Sequence, residues 1–184
     1  KFGFPMERAV FFTVLHRLLT SGSDRAALGT WQEDYEIEGI EDLLLHQLYR
    51  AMAFLGEELP EEEQAGATPF LPRCVKDRFE EALYRQHQDP FSGLERVFFD
   101  TTSIYFEGER GETLGQHGHG KDHRPDLKQM VGGMILDGDG HPVCCEMWPG
   151  NTTDVATLIP VVDRLKKRFG IVRVCVVADR GMIS

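Results

Sequence analysis

The stretch LERVFFDTTSIYFEG, residues 94–108, decides how this chain is read. It is rich in aromatic and β-branched residues and alternates with period two. Phe98, Asp100, Thr102 and Ile104 fall on one face, and Phe99, Thr101, Ser103 and Tyr105 on the other. That is a strand with an aspartate in its middle. A carboxylate within an otherwise apolar strand is costly unless something satisfies its charge.

Downstream, KQMVGGMILDGDGHPVCCEMWPG (128–150) reads as two strands joined by a tight turn at Asp137-Gly138-Asp139-Gly140. TTDVATLIPVVDRLKKRFG (152–170) then places Val155, Leu158, Ile159, Val162, Leu165 and Phe169 at helical intervals. Thr152 or Thr153 suits the helix start and Gly170 its end. Pro160 is awkward inside a helix, so the regular part is expected to begin near it or to kink there. IVRVCVVAD (171–179) follows as a short buried strand ending on Asp179. Three strands, a helical crossover and a fourth strand imply an α+β (mixed α/β) sheet, with the last strand parallel to the first. If those two strands are neighbours, Asp100 and Asp179 meet.

Upstream, the first ninety residues read as helical. Val10, Phe11, Val14, Leu15, Leu18 and Leu19 mark one stripe, and TSGSD (20–24) ends it. Ile40, Leu43, Leu44, Leu48, Met52 and Leu55 mark a second, and a weaker helix is expected over 75–87. These stripes are read as core. EELPEEEQAG (57–66) reads as an acidic, solvated connector.

The 184 residues are 41% hydrophobic and 27% charged, the composition of a globular chain rather than a disordered one. No apolar run is long enough to span a bilayer. Four cysteines without a CxxC pair read as buried thiols in a reducing compartment, so the cytoplasm is the expected location. Lys1 in place of Met, and a last strand that stops soon after Asp179, suggest a fragment at both ends. The net charge of −10 disfavours a nonspecific nucleic-acid binder. The acid is uneven, however. Residues 1–90 carry 9 basic against 17 acidic side chains, and residues 91–184 carry 11 against 13. The second part leaves room for a local DNA-facing surface.

Two carboxylates brought together repel, and a divalent cation resolves the conflict. Two such ions about 3.5–4 Å apart activate water and stabilise a leaving 3′ oxygen in phosphodiester cleavage. FFDTTSIYFEG (98–108), GHGKDHRPDLKQM (118–130), WPGNTTDVATLIP (148–160) and VVADRGM (176–182) together resemble the Asp-Asp-Glu transposases of bacterial insertion sequences. LHRLLTSGSDRAALGTW (15–31) and LHQLYRAMAFL (45–55) are similar to the helical region that precedes that family's catalytic core.

The resemblance implies a helical N-terminal region over 1–90 and, over 91–184, the first part of an RNase H-like core. That core has three strands, a helix and a parallel strand, and is truncated. Asp100 and Asp179 match the family's first two acids, as ligands for Mg²⁺ or Mn²⁺. The third, a Glu on a later helix, has no counterpart before Ser184, and Glu107 and Glu146 lie in the wrong segments to replace it. The implied partners are double-stranded DNA at terminal inverted repeats and target DNA, with a homodimer on DNA in the full protein. The fragment alone is expected to be inactive.

Lys121, His123, Arg124 and Lys128 follow the first strand, and Arg180 follows Asp179. They suit contacts to DNA phosphates. Equally, Asp122 and Asp126 could pair with the nearby bases and order the loop. Two other readings stay open: an RNase H-like nuclease without transposition, and a noncatalytic DNA-binding or remnant fragment.

GQHGHGKD (115–122) nearly spells a phosphate loop, but Asp122 replaces the required hydroxyl and Pro125 interrupts the helix. His117, His119 and His123 lack the fourth ligand of a zinc site. DGDG (137–140) lacks the later acid of a calcium loop.

Overall fold

The computed structural model describes residues 2–67, 71–87, 96–107, 111, 113–118, 124, 126–171 and 175–178. The chain divides into two compact units, Lys1–Glu57 and Glu58–Ser184.

Helix α1 (Met6–Thr20) forms where the apolar period places it, but it buries a different face. Ala9, Phe12, Thr13 and His16 are inside and Val10 and Leu15 of the expected stripe pack half-buried against that core, whereas Phe11, Val14, Leu18 and Leu19 are exposed, Leu18 at 77%. The cause is Trp31. Its indole lies 5.6 Å from the Phe12 ring and 5.1 Å from His16, centroid to centroid. Aromatic contacts of this kind add to area burial and favour the rotation that brings Phe12 and His16 against the indole. Ser21, at φ 54°, ends α1 by donating its N–H to the Arg17 carbonyl at 3.2 Å. Ser23 Oγ then accepts the Ala26 N–H at 3.2 Å and caps the next segment. That segment runs through α2 (Asp24–Ala26), a π turn (Ala27–Trp31) and α3 (Gln32–Asp34).

The second stripe is only partly helical. Helix α4 spans Leu45–Leu55, while Ile40 and Leu43 are buried from the turns before it. Gln47 Oε1 accepts the Leu44 N–H at 2.9 Å and fixes the start of α4 there. Ile40, Leu43, Leu48 and Ala51 complete the core of this unit with Ala9, Phe12, Ala27 and Trp31.

The second unit opens with a short antiparallel bridge, Glu58 against Cys74, followed by α5 (Val75–His87). Asp77 Oδ2 accepts the Cys74 N–H at 2.8 Å at the start of α5. The connector before α5 is tied down rather than merely solvated. Gln64 donates to the carbonyls of Leu59 and Arg73 and accepts the Arg73 N–H at 2.7 Å.

Strands β1 (Arg96–Tyr105), β2 (Gln129–Leu136), β3 (Pro142–Pro149) and β4 (Cys175–Ala178) form a sheet in the order β3-β2-β1-β4. β1 and β2, and β2 and β3, are antiparallel; β4 lies parallel to β1 after the crossover helix α6 (Asp154–Phe169). The β2–β3 turn is closed by Asp137 Oδ1, which accepts the N–H groups of Asp139 and His141 at 2.9 and 2.8 Å. One sheet face is buried through Val97, Phe99, Val131, Ile135, Val143, Cys144 and Trp148, with Val161 and Leu165 in the same core. Gly133 is required there. A Cβ at that position would stand 2.7 Å from both the Phe99 and Trp148 rings.

Helix α6 begins at Asp154, six residues ahead of Pro160, and runs through it. Thr153 occupies the cap position without a side-chain cap bond, and left-handed Gly170 ends the helix. Among the described residues, no helix is long and apolar enough to cross a membrane.

The rotation of α1 separates two substitutions that the periodicity ranks the other way round. Phe12→Ala should cost about 3–5 kcal/mol in urea unfolding of the helical unit. Leu18→Ala should stay within about 0.5 kcal/mol. Equal losses would contradict the burial of the Phe12 face.

Candidate functional site

Asp100 sits midway along β1 on the face opposite the core. Val97, Phe99 and Thr101 are buried, whereas Phe98, Asp100, Thr102 and Ile104 are exposed. Its Oδ1 accepts the Thr101 N–H at 2.8 Å. The cross-strand partner Met134 on β2 is exposed, as is Val177 on β4, which pairs with Phe98. The carboxylate therefore stands on an open sheet face, on a strand flanked by neighbours on both sides. The parallel β1–β4 register runs from Arg96–Cys175 to Phe99–Ala178. Asp179 and Arg180 follow Ala178 in sequence and lie outside the described residues, as do Lys121 and His123.

Of the remaining bases, Arg124 is committed to a neighbour. Its Nε and Nη2 reach the two carboxylate oxygens of Asp126 at 3.0 and 2.9 Å, a bidentate fork with both groups exposed. That hydrogen-bonded pairing holds the Asp126 carboxyl below its ordinary pKa and the guanidinium above its own. For this residue the loop-ordering alternative is the one observed. Lys128 is half-buried just before β2, and its carbonyl accepts the Phe106 N–H at 2.8 Å.

The glycine- and histidine-rich loop is also ordered by backbone pairing over its described part. Gln116 and Gln129 exchange both N–H···O bonds, at 2.9 and 3.0 Å, and the Gly150 N–H reaches the Leu114 carbonyl at 3.0 Å. A Cβ on Gly150 would lie 1.9 Å from the Gln129 carbonyl oxygen. Gly150 is thus needed for close strand approach. Of the three loop histidines, His117 is exposed, and His119 and His123 lie outside the described residues.

A metal-capable group does appear among the described residues, but at a different place. Asp137, Asp139 and His141, at the β2–β3 turn, bring their ligand atoms within 4.8 Å of one another. The Asp137 carboxylate is already closing the turn. Burial pushes its pKa up, but the N–H groups of His141 and Asp139 and the His141 ring outweigh that and lower it.

Glu146 stands apart from both Asp100 and the hairpin group. It pairs with Gly133, which pairs with Thr101, so strand alternation puts it on the covered face, away from Asp100. There it joins a buried ionic network that hydrophobic periodicity did not reveal. Arg168 on α6 reaches Asp77 at 3.1 Å, Glu80 at 2.6 Å, Glu81 at 3.1 Å and Glu146 at 3.0 Å. Arg164, one turn earlier, meets Glu146 at 2.8 Å and donates to the carbonyls of Gly66 and Leu71. Lys76 joins Glu80 at 2.8 Å, and Arg73 joins Glu81. Four acids thus meet four buried or half-buried bases, with exposed Arg85 3.7 Å from Glu81 at the rim. Burial opposes the charge on Lys76 and on Arg168, but the surrounding carboxylates more than offset it and raise both pKa values. Burial likewise opposes the Asp77 charge, and Arg168, the Cys74 N–H and Lys76 reverse that, so its pKa falls. At Glu146 burial wins over Arg164 and Arg168, and its pKa rises. The available sequence signal was the Arg164–Arg168 pair at i,i+4, on the same stripe as buried Val161 and Leu165.

No family model matches the chain, and no curated protein matches it. Among solved structures, the Mos1 transposase paired-end complex with left transposon end aligns with it at 14% identity and a TM-score of 0.30. The alignment covers 97% of this chain and 55% of that one. The chain thus spans little more than half the length of that structure's chain.

Asp77 gives the network an acid-labile component. Its folded pKa is depressed, so its stabilisation is present above the ordinary value of 3.8 and is lost as pH falls through the folded value. For Glu146, whose folded pKa is raised, the sign is reversed. Asp77→Asn keeps the oxygen that accepts the Cys74 N–H. The stability gap between wild type and this variant should be widest near pH 7 and narrow below pH 3.8. A gap independent of pH in urea titrations would contradict the charge pairing.

Proposed function

We propose that this chain carries the first part of a metal-dependent DNA strand-transfer core of the transposase type, preceded by a helical region. The observation that carries the reading is the β1–β4 register. Phe99 pairs with Ala178 across parallel strands, and the next residue in each strand's sequence is an aspartate, Asp100 and Asp179. The crossover helix α6 and the open face that bears Asp100 support the same reading. In this reading the sheet is an RNase H-like core, begun near residue 91 and incomplete without a later Glu-bearing segment.

The described donor set suits the ion the reading needs. A carboxylate on an open face offers hard oxygen atoms, which fit Mg²⁺ or Mn²⁺ held by one or two carboxylates with water and phosphate. When bound, such ions activate water and stabilise the leaving 3′ oxygen. Asp100 and Asp179 hold the ions as ligands rather than attacking as nucleophiles. Lys121, His123, Lys128 and Arg180 contact DNA phosphates near them, whereas Arg124 acts through its fork with Asp126 to shape the loop. The substrate in this reading is double-stranded DNA at terminal inverted repeats and at the target, engaged by a homodimer of the full protein.

Manganese titration followed by electron paramagnetic resonance tests the assignment, because it also resolves the hairpin group as a rival. Asp100→Ala should weaken Mn²⁺ binding by about tenfold or more, and Asp137→Asn should leave it unchanged. Loss of binding in Asp137→Asn alone would move the ion to the turn and overturn the proposal. Absence of any binding, with or without DNA, would favour a noncatalytic fragment.

A further inference from the structure

Helix α5 packs inside out. Toward the sheet it turns Asp77 and Glu81, 2% and 7% exposed, with Lys76, Glu80 and Tyr84 half-buried. Toward solvent it turns Phe79, Ala82 and Leu83, with Phe79 and Leu83 52% and 54% exposed. A surface helix ordinarily has the opposite arrangement. The network forbids a rotation that would hide the apolar stripe. Turning α5 would withdraw Asp77, Glu80 and Glu81 from Arg168 and leave its buried guanidinium without those carboxylates. The stripe is therefore held outward.

Its spacing and its borders define what fits it. Positions 79, 82 and 83 follow i, i+3, i+4, the pattern by which one amphipathic helix grips another. At about 100° per residue, Arg78 and Arg85 lie along one border of the stripe, Lys76, Glu80 and His87 along the other, and exposed Gln86 falls within it. Arg78 is paired with Glu63. Arg85, 72% exposed at its side chain, has Glu81 at 3.7 Å, and that carboxylate is already shared by Arg73 and Arg168. Arg85 is thus the border cation whose nearest carboxylate is shared with other bases. A second copy of α5 would set Arg85 against a like-charged rim.

We propose that the Phe79–Ala82–Leu83 face of α5 is a docking surface for a partner helix with apolar residues at i, i+3 and i+4 and acidic residues flanking them. This surface is independent of the metal assignment on the opposite sheet face.

Fluorescence anisotropy of the intact chain with two synthetic helices tests it. Both carry leucine at i, i+3, i+4 and i+7; one is flanked by glutamate and the other by lysine. The glutamate peptide should bind with Kd of roughly 10–100 μM, weakening as salt is raised. The double variant Phe79→Gln/Leu83→Gln should bind it about tenfold or more weakly while keeping its thermal midpoint. Arg85→Gln should bind it several-fold more weakly, with a shallower salt dependence. Equal binding of the lysine peptide, or no binding of the glutamate peptide at about 1 mM, would overturn the proposal. So would self-association in sedimentation equilibrium that Phe79→Gln/Leu83→Gln abolishes, since the occupant would then be a second copy.

Discussion

Arg168 is a guanidinium with no side-chain exposure, and its burial constrains everything packed around it. A charge taken out of water is tolerated only where its donors are satisfied and its sign is matched. Arg168 finds both at once, on Asp77, Glu80 and Glu81 of α5 and on Glu146 of β3. These contacts set the direction in which α5 faces. Apolar burial alone would favour turning Phe79 and Leu83 inward. Its four acids are matched by four buried or half-buried bases, with Arg85 at the exposed rim, so its contribution lies in specifying one packing rather than in surplus stability.

The same helix closes one side of the sheet. β3 is an edge strand, and the main-chain groups of Cys145 are met by α5 side chains: its N–H by Glu80 at 3.0 Å, its carbonyl by Lys76 at 2.9 Å. An edge so occupied does not take another strand at that point. Pairing at the other side of the β1–β2–β3 meander brings β4 beside β1 and makes β1 an interior strand. Asp100 thus rests on a strand held from both flanks, with its side chain on the open face and the charge network on the covered one. Asp100 and Glu146 share one sheet, and strand alternation keeps them on opposite faces.

Much of this architecture was legible because it depends on local rules. The two faces of β1 follow from period two, the β2–β3 turn from Asp137-Gly138-Asp139-Gly140, and the end of α6 from Gly170. The failures share a different origin. In α1 the apolar residues form more than one stripe, and periodicity does not say which one Trp31 will select. In α5 the buried residues are acids, which a hydrophobic pattern assigns to solvent; their partners on β3 and α6 lie 65 to 91 residues away. For α6, Thr153 marked the start that the helix takes, and of the two effects expected of Pro160 a later start does not occur, since the helix forms from Asp154 onward. At the candidate site, Asp100 was legible as a carboxylate out of place on a strand. The commitment of Arg124 to Asp126 appeared only as one of two equal alternatives.

Buried charge, more than apolar area, holds α5 in place. Native-state amide hydrogen exchange on Arg168→Gln measures this most directly. Amides of 75–87 should lose protection by a local route, about 100-fold or more, while β1 and β2 amides keep theirs up to the global limit. If α5 protection instead fell only in step with that of β1 and β2, the helix would be held by something other than Arg168.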